Sequence, residues 1–247
     1  MTADTEMDVI GWLEEASGSR WLEPGDVALR WLAGPRTFAA TFPVYGSGQL
    51  VDDPDNLARS ANYLVDSGNR RLAATHFYIP GVPNAISQLT LLGSFFGADR
   101  KSKPFGTFVY FPRSAIRAPT TGQVTYTIPE RYTDGTRLSN ATLAVDFGTG
   151  TVFGKVSVTY TDAFGPYPET LYDIENGRVD RSTGRITGTF RIPGSGFDGT
   201  VRGQVLGAQG QVAAVVARGA VRDPYEGQWR ESFQIAGFLN EQSTPIS

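Results

Sequence analysis

The sequence predicts a mainly β protein: an eight-stranded antiparallel β-barrel preceded by a smaller β-rich N-terminal region with one short helix. Three observations lead to this prediction. From residue 27 onward, alternating apolar residues are broken by Gly, Pro and Asp-Asn clusters, which is typical of strands and turns. About eight short strand candidates follow residue 122, and closed barrels of about that number have interiors just filled by side chains. Glycines lie both between and inside these candidates, where a small barrel turns or bends.

The first element is the short helix, predicted over residues 4–22. Met7, Ile10 and Leu13 recur at helical spacing with carboxylates near the start, and Gly18 and Pro24 are expected to end it.

The N-terminal region, residues 1–118, continues as β structure. Strands are predicted over residues 27–32, 37–42, 60–65 and 71–78, and residues 52–56 read as an exposed loop.

The barrel is predicted over residues 119–247, where the strand candidates are more regular. They cover residues 123–128, 141–147, 151–160, 185–192, 197–205, 211–217, 227–232 and 233–239. Antiparallel closure of these strands would remove the exposed edges that invite aggregation.

Glycine positions support this barrel. Tight hairpin connections are predicted at residues 148–150 and 182–184. Four other glycines are predicted to lie inside strands: Gly154, Gly188, Gly203 and Gly237. A phosphate-binding loop is the competing interpretation, but neither G-x-G-x-x-G nor G-x-x-x-x-G-K-[ST] followed by a helix is present.

Composition excludes several classes of function. The chain of 247 residues carries a formal charge of -3, so it lacks the basic field that attracts nucleic acid. The absence of cysteine excludes thiolate catalysis, iron-sulfur clusters and cysteine-ligated zinc, and a single histidine disfavours catalytic zinc. Wholesale disorder is excluded by the 40% hydrophobic content.

Targeting signals give little guidance. The displayed start carries no apolar run of signal-peptide length and no lipid-anchor cysteine, and no stretch approaches the roughly 20 apolar residues of a membrane-spanning helix. The displayed chain is therefore expected to be either cytosolic or a mature segment.

Several glycine and aromatic patterns occur in an order that resembles the transferrin-binding protein B-like β-barrel family of bacterial surface lipoproteins. They lie at residues 89–96, 105–110, 118–126, 141–154, 188–190, 197–199, 213–214 and 235–238. The resemblance implies a single barrel lobe at the outer membrane surface or in the extracytoplasmic space. It also implies a non-catalytic module that captures a nutrient (a protein, haem or another small molecule) for a partner transporter. Residues 218–227 depart from the usual segment before the last hairpin.

His76 and Tyr78 are one candidate ligand site. They share one face of a predicted strand with Leu72 and Ala74, and either side chain could ligate haem iron. The competing interpretation is a partly buried histidine with one satisfied hydrogen bond. No cofactor other than this haem possibility, and no metal site, is predicted.

Two loops are the remaining candidates. Residues 97–104 carry Arg100, Lys101 and Lys103 beside Phe105, and suit an acidic or aromatic ligand through charge and stacking. Residues 160–168 combine a restricted backbone with aromatic and acidic side chains that suit recognition: Tyr160, Asp162, Phe164 and Tyr167. A charged hairpin tip held by buried phenylalanines is the alternative for the first loop.

Two functions follow from these observations. The leading one is a binding module without catalysis, and the alternative is a barrel-fold isomerase, cyclase or lyase with a small-molecule pocket. The barrel interior distinguishes them: a filled apolar interior favours recognition by the exterior, whereas a deep pocket with convergent polar groups favours an enzyme.

Overall fold

The described residues of the computed structural model form antiparallel β-strands and contain no α-helix. They are residues 3–15, 18–35, 37–42, 46–52, 61–66, 71–78, 87–93, 103–113, 119, 121–128, 131–133, 136–162, 165–166, 170–191, 198–207, 210–222 and 229–241. The chain divides into two compact units, Met1–Ser114 and Ala115–Ser247. The sequence analysis placed this division between residues 118 and 119.

Unit 1 contains nine strands. They are β1 (Thr5–Glu15), β2 (Gly18–Leu22), β3 (Ala28–Leu32), β4 (Thr37–Phe42), β5 (Gly46–Asp52), β6 (Ala61–Asp66), β7 (Arg71–Tyr78), β8 (Ser87–Gly93) and β9 (Lys103–Pro112). β1 pairs with β3, each strand from β3 to β8 pairs with the next, and β9 pairs back onto β1, so that eight of the strands close a ring. β2 pairs with the C-terminal half of β1, from Gly11 to Glu15. The sequence analysis predicted β structure here but not closure.

The predicted helix over residues 4–22 is wrong, because these residues form the β1–β2 hairpin. The physical reason is that β1 is buried on both faces: residues 7 to 12 are all buried. Such a strand lacks the alternation that marks a half-exposed strand. The helical spacing that begins with Met7 and Ile10 was therefore a coincidence within the continuous buried run of residues 7–12.

Unit 2 forms a second closed ring of eight antiparallel strands, which confirms the predicted barrel. Its strands are β10 (Gln123–Ile128), β11 (Arg131–Thr133), β12 (Thr136–Asp146), β13 (Thr151–Asp162), β14 (Gly165–Pro166), β15 (Thr170–Val179), β16 (Arg185–Arg191), β17 (Asp198–Leu206), β18 (Val212–Arg222) and β19 (Trp229–Glu241). The ring closes through β12–β13 and β10–β19. The short strands β11 and β14 extend β12 and β13.

An apolar core fills the described interior of unit 2. Tyr126, Phe147, Tyr172 and Phe190 are fully buried, and the Tyr172 and Phe190 rings lie 5.2 Å apart between centroids. Aliphatic side chains complete the cluster: Leu143, Val145, Val152, Val156, Ile174, Val179, Ile186, Val201 and Val205. Over residues 184–190, which include most of β16, buried residues alternate with exposed ones, as barrel geometry requires.

The predicted number of eight strands agrees with the ring, but only because one missed strand is offset by one strand that was counted twice. β15 was not predicted, and β19 was predicted as two strands divided between residues 232 and 233. β19 is continuous, but residue 232 is skipped in its pairing with β18, where the register shifts. The predicted break therefore falls at a β-bulge rather than at a turn.

Candidate functional site

The two ends of the unit 2 barrel differ in the length of their connections. Because neighbouring strands are antiparallel, the turns at residues 147–150, 180–184 and 207–211 lie at one end, here called the short-turn end. The other strand ends lie at the opposite end of the barrel, here called the long-connection end. They are joined by residues 129–135, 163–169, 192–197 and 223–228.

Hydrogen bonds tie each element of the short-turn end to the next. Phe147 N donates to Gly122 O at 2.8 Å, Val179 N to Gly150 O at 3.0 Å, and Val205 N to Gly184 O at 2.9 Å. The buried Tyr126 hydroxyl donates to Gly210 O at 2.6 Å. This end is therefore closed by its own backbone.

Two of these turns repeat one local design, Asp-x-x-Thr-Gly, with glycine in the left-handed region. The φ angles are 74° at Gly150 and 71° at Gly184. Asp146 Oδ1 accepts the N–H groups of residues 148 and 149, and Asp180 Oδ1 accepts the N–H and hydroxyl of Ser182. The sequence analysis recognised the glycines as hairpin connections, which is confirmed, but missed the aspartates.

These hydrogen bonds stabilise the charged form of both carboxyls. The Ser182 hydroxyl, which donates to Asp180 at 2.6 Å, is the largest influence that lowers the pKa of Asp180 to about 2. The Thr149 N–H has the same role in holding the pKa of Asp146 below its ordinary value. Both aspartates cap the turns of their own hairpins, because their carboxylates accept these hydrogen bonds.

The interior of unit 2 offers no polar pocket among the residues that the structure describes. Among all the residues that the structure describes, in both units, the buried polar side chains are Asp8 and Gln204. Asp8 accepts hydrogen bonds from Arg113 at 3.1 and 3.2 Å, and Gln204 Nε2 donates to Thr183 O at 2.6 Å. Within the same described residues, no group of His, Asp and Glu could hold a metal ion. Both of these buried polar side chains are therefore hydrogen-bonded within the protein.

Two of the four unit 2 candidates lie at the long-connection end. Tyr160 and Asp162 are in the last three residues of β13, where Asp162 pairs with Gly165 across a tight hairpin. Phe164 and Tyr167 lie outside the described residues. The strand thus places Tyr160 and Asp162 at one barrel end, as backbone positions.

The unit 1 candidates are divided between two ends of that ring. Tyr78 pairs with Ser87 and His76 with Leu89, whereas Lys103 pairs with Gly93 at the other end of β8. Six residues along a strand span about 20 Å, so the structure does not bring Tyr78 together with Lys103. Phe105 falls at a β-bulge between β8 and β9, while Arg100 and Lys101 lie outside the described residues.

The sequence analysis missed an exposed cationic surface on unit 2. Arg178 and Arg185 are exposed on the outward faces of β15 and β16, Arg181 is exposed in the turn between them, and Arg202 is half-buried on β17. Burial lowers the pKa of Arg202. The signal available in the sequence was the seven arginines against two aspartates between residues 178 and 222, combined with strand alternation.

The strand pairings define an antiparallel β protein of two closed rings. Comparison with known proteins gave the following results. No protein-family model matches the chain, and no curated protein sequence matches it. The described residues include no helix long and apolar enough to cross a membrane.

Two solved structures are similar to this chain. One is isotype 1 transferrin binding protein B from serogroup B Neisseria meningitidis, at a TM-score of 0.47 and 14% identity over 96% of this chain and 44% of that one. The other is a mutant of the vaccine antigen transferrin binding protein B from Actinobacillus pleuropneumoniae H49, at a TM-score of 0.43 and 11% identity over 96% of this chain and 100% of that one. The chain spans less than half the length of the Neisseria protein.

Proposed function

We propose that this chain is a non-catalytic binding protein that captures a nutrient ligand at the bacterial cell surface or in the extracytoplasmic space. The observation that carries the proposal is the described interior of unit 2, which is filled by apolar side chains. A filled barrel cannot enclose a substrate, so recognition is left to its exterior and its connections. The captured ligand is a protein, haem or another small molecule, delivered to an outer-membrane transporter.

The long-connection end of unit 2 is the leading recognition surface. Rigid strands hold Tyr160 and Asp162 at this end, and connections carried by a rigid scaffold are where binding residues concentrate. Tyrosine offers a large contact area at low entropic cost. We therefore assign ligand contact to Tyr160, Asp162, Phe164 and Tyr167.

The basic residues of unit 1 form a second recognition element in this proposal. Arg100, Lys101 and Lys103 precede Phe105 and would engage an acidic partner by charge. Haem ligation by His76 or Tyr78 belongs to a separate site, because Tyr78 and Lys103 occupy opposite ends of β8 through their pairings.

A capture experiment tests the proposal. The purified chain is incubated with nutrient extract of the producing cell, and what co-purifies is identified by mass spectrometry. We expect a stoichiometric ligand that is returned chemically unchanged. A ligand that is converted to product would refute the binding module and restore the isomerase, cyclase or lyase.

Substitutions locate the site. Tyr167→Ser should mainly speed dissociation, because a buried anchor acts on the off-rate. Replacing Arg100, Lys101 and Lys103 by serine should slow capture of an acidic partner and flatten its salt dependence. His76→Ala should leave affinity within about tenfold, and a larger loss would assign ligand binding to His76. Capture that is insensitive to the first two changes would place recognition elsewhere.

A further inference from the structure

An exposed bulge interrupts β15 at the sequence Asn176-Gly177. The register of β15 against β16 shifts between Glu175 and Arg178. As a result, Asn176 and Gly177 together stand opposite the single residue Gly188, which is the arrangement of a β-bulge. Asn176-Gly177 is also the one Asn-Gly step in the sequence.

Asn176 is the loosely held residue of this bulge. Its side chain is exposed, and its φ of 52° lies in the left-handed region, which Asn adopts more readily than most residues. In the described pairings it has no direct partner on β13 or on β16, whereas Gly177 pairs with Val152. The Asn176 carboxamide therefore reaches solvent and can turn toward the main chain that follows it.

The residue that follows makes a reaction of this carboxamide possible. Gly177 has no Cβ atom to shield its amide nitrogen, and attack of that nitrogen on Cγ of Asn176 closes a five-membered ring. The attacking nitrogen loses its proton to solvent base and the side-chain amide leaves as ammonia, so the product is a succinimide. Water then opens either carbonyl–nitrogen bond of the ring and gives aspartate or isoaspartate. Because neighbouring groups of one chain react far faster than separate molecules, the reaction needs no enzyme and no cofactor.

We propose that Asn176 is a site of spontaneous deamidation in the folded protein. Deamidation replaces a neutral carboxamide by a carboxylate at an exposed position of β15. In the isoaspartyl product the main chain also runs through Cβ of residue 176, which lengthens β15 by one methylene group.

The lengthened main chain does not fit the bulge. A Cβ atom added at Gly177 would collide with Val152 O, and one added at Gly188 would come within 3.4 Å of Gly177 Cα. The bulge is therefore closely packed against both neighbouring strands, and an extra methylene group must displace β15. The aspartyl product keeps the original main chain, and Asp also tolerates the left-handed region. The isoaspartyl form should consequently be the less stable of the two products.

Ageing of the full chain at mildly alkaline pH, followed by peptide mass spectrometry, tests the site. The rate of amide loss at Asn176 is compared with the rates at Asn140 and Asn240, which precede Ala141 and Glu241. We expect Asn176 to react about tenfold faster or more, which corresponds to about 1.4 kcal/mol in activation free energy. Equal rates at the three asparagines would overturn the proposal. Amide loss at Asn176 that occurs only after unfolding in urea would overturn it as well.

Two variants test the chemistry of ring closure. Asn176→Gln should lose its amide far more slowly, because its ring would have six members. Asn176→Gly removes the amide altogether and suits the left-handed φ, so it should stay folded and form no isoaspartate at residue 176. Isoaspartate formation at an undiminished rate in either variant would show that the reacting residue is another one.

Thermal unfolding tests the effect on β15. Asn176→Asp is the matched control for charge, and before ageing it should unfold at nearly the midpoint of the unmodified chain. The isolated isoaspartyl form should unfold at a lower temperature than this control. Equal midpoints would overturn the proposed effect on β15. Because the covalent state of residue 176 is measured directly, the result is independent of nutrient capture.

Discussion

Two glycines of unit 2 lie where a neighbouring backbone carbonyl leaves no room for a Cβ atom. At Gly203 the added atom would come within 2.6 Å of Ala214 O, and at Gly154 it would collide with Thr142 O. At Gly188 it would press on Val201 and Ile174. The sequence analysis predicted backbone crowding at these three glycines, and the structure confirms it. Gly237 lies on β19, and its surroundings are outside the described contacts.

Gly203→Ala should therefore destabilise unit 2. The β17–β18 pairing must shift to accept the methyl group, at a cost of about 1 to 3 kcal/mol. Chemical denaturation measures the change. Gly34→Ala is the control, since an added Cβ there meets nothing within 4 Å, and it should leave stability nearly unchanged. Equal effects of the two substitutions would contradict the described packing.

Tyr126→Phe should also destabilise unit 2, by about 1 kcal/mol. The hydroxyl of Tyr126 donates to Gly210 O at 2.6 Å in a buried setting, and its removal leaves that carbonyl without this donor. Thermal unfolding of the variant and the unmodified chain gives the difference. An unchanged midpoint would show that this hydrogen bond does not fasten the 207–211 turn.

At the scale of elements, the Asp180 turn makes stability depend on pH. Folding lowers the pKa of Asp180 from 3.8 to about 2, so the charged carboxylate adds stability above about pH 4, and this contribution is lost as pH falls through about 2. Asp180→Asn should therefore lower stability at neutral pH, and the deficit should shrink across that window.

Unfolding midpoints measured from neutral pH to below pH 2 check this. Asp173→Asn is the control, because Asp173 lies on the outer face of β15 beside Lys155 rather than in a turn. If Asp180→Asn lowers the unfolding midpoint by the same amount at every pH, the negative charge of Asp180 does not stabilise the turn.

β15, which the sequence analysis missed, departs from simple alternation. In β15 the inward residues Tyr172 and Ile174 are followed by Gly177 and Val179, because a bulge shifts the register between Glu175 and Arg178. Asn176 at this bulge has a positive φ of 52°. By contrast, β4, β7 and β10 were predicted with correct bounds.

At the scale of the whole molecule, ring closure was predictable for unit 2 but not for unit 1. The regular spacing of strands and glycine-bearing turns after residue 122 indicated a barrel. In unit 1, closure depends on β9 pairing with β1, and β1 was interpreted as a helix. Closure of unit 1 was therefore not predicted, because one of the two strands that close it was assigned to a helix.

The candidate sites divide in the same way. Loop composition could identify Tyr160, Asp162 and the basic residues of the 97–104 loop as candidates, since turn residues and charge are local features. The cationic surface of unit 2 could not be found locally, because Arg178, Arg185 and Arg202 come from three strands and are brought near one another only by cross-strand register.

The central claim is that unit 2 is a closed barrel, since closure with a filled interior is what transfers recognition to its connections. The seam between β10 and β19 carries this claim through two pairs, Tyr126 with Glu241 and Thr127 with Asn240. Because the chain has no cysteine, a cysteine pair introduced at the seam can be tested without background thiols.

The deciding measurement is oxidation of the double variant Thr127→Cys/Asn240→Cys, followed by mass spectrometry of its disulfide-linked peptides. Residues that are direct partners across antiparallel strands have Cα atoms close enough for a disulfide. We predict rapid, intramolecular cross-linking of this pair and none for the control pair Thr127→Cys/Thr189→Cys, whose strands β10 and β16 lie on opposite sides of the ring. Free thiols at residues 127 and 240 in a folded protein would contradict closure, and with it the assignment of recognition to the connections.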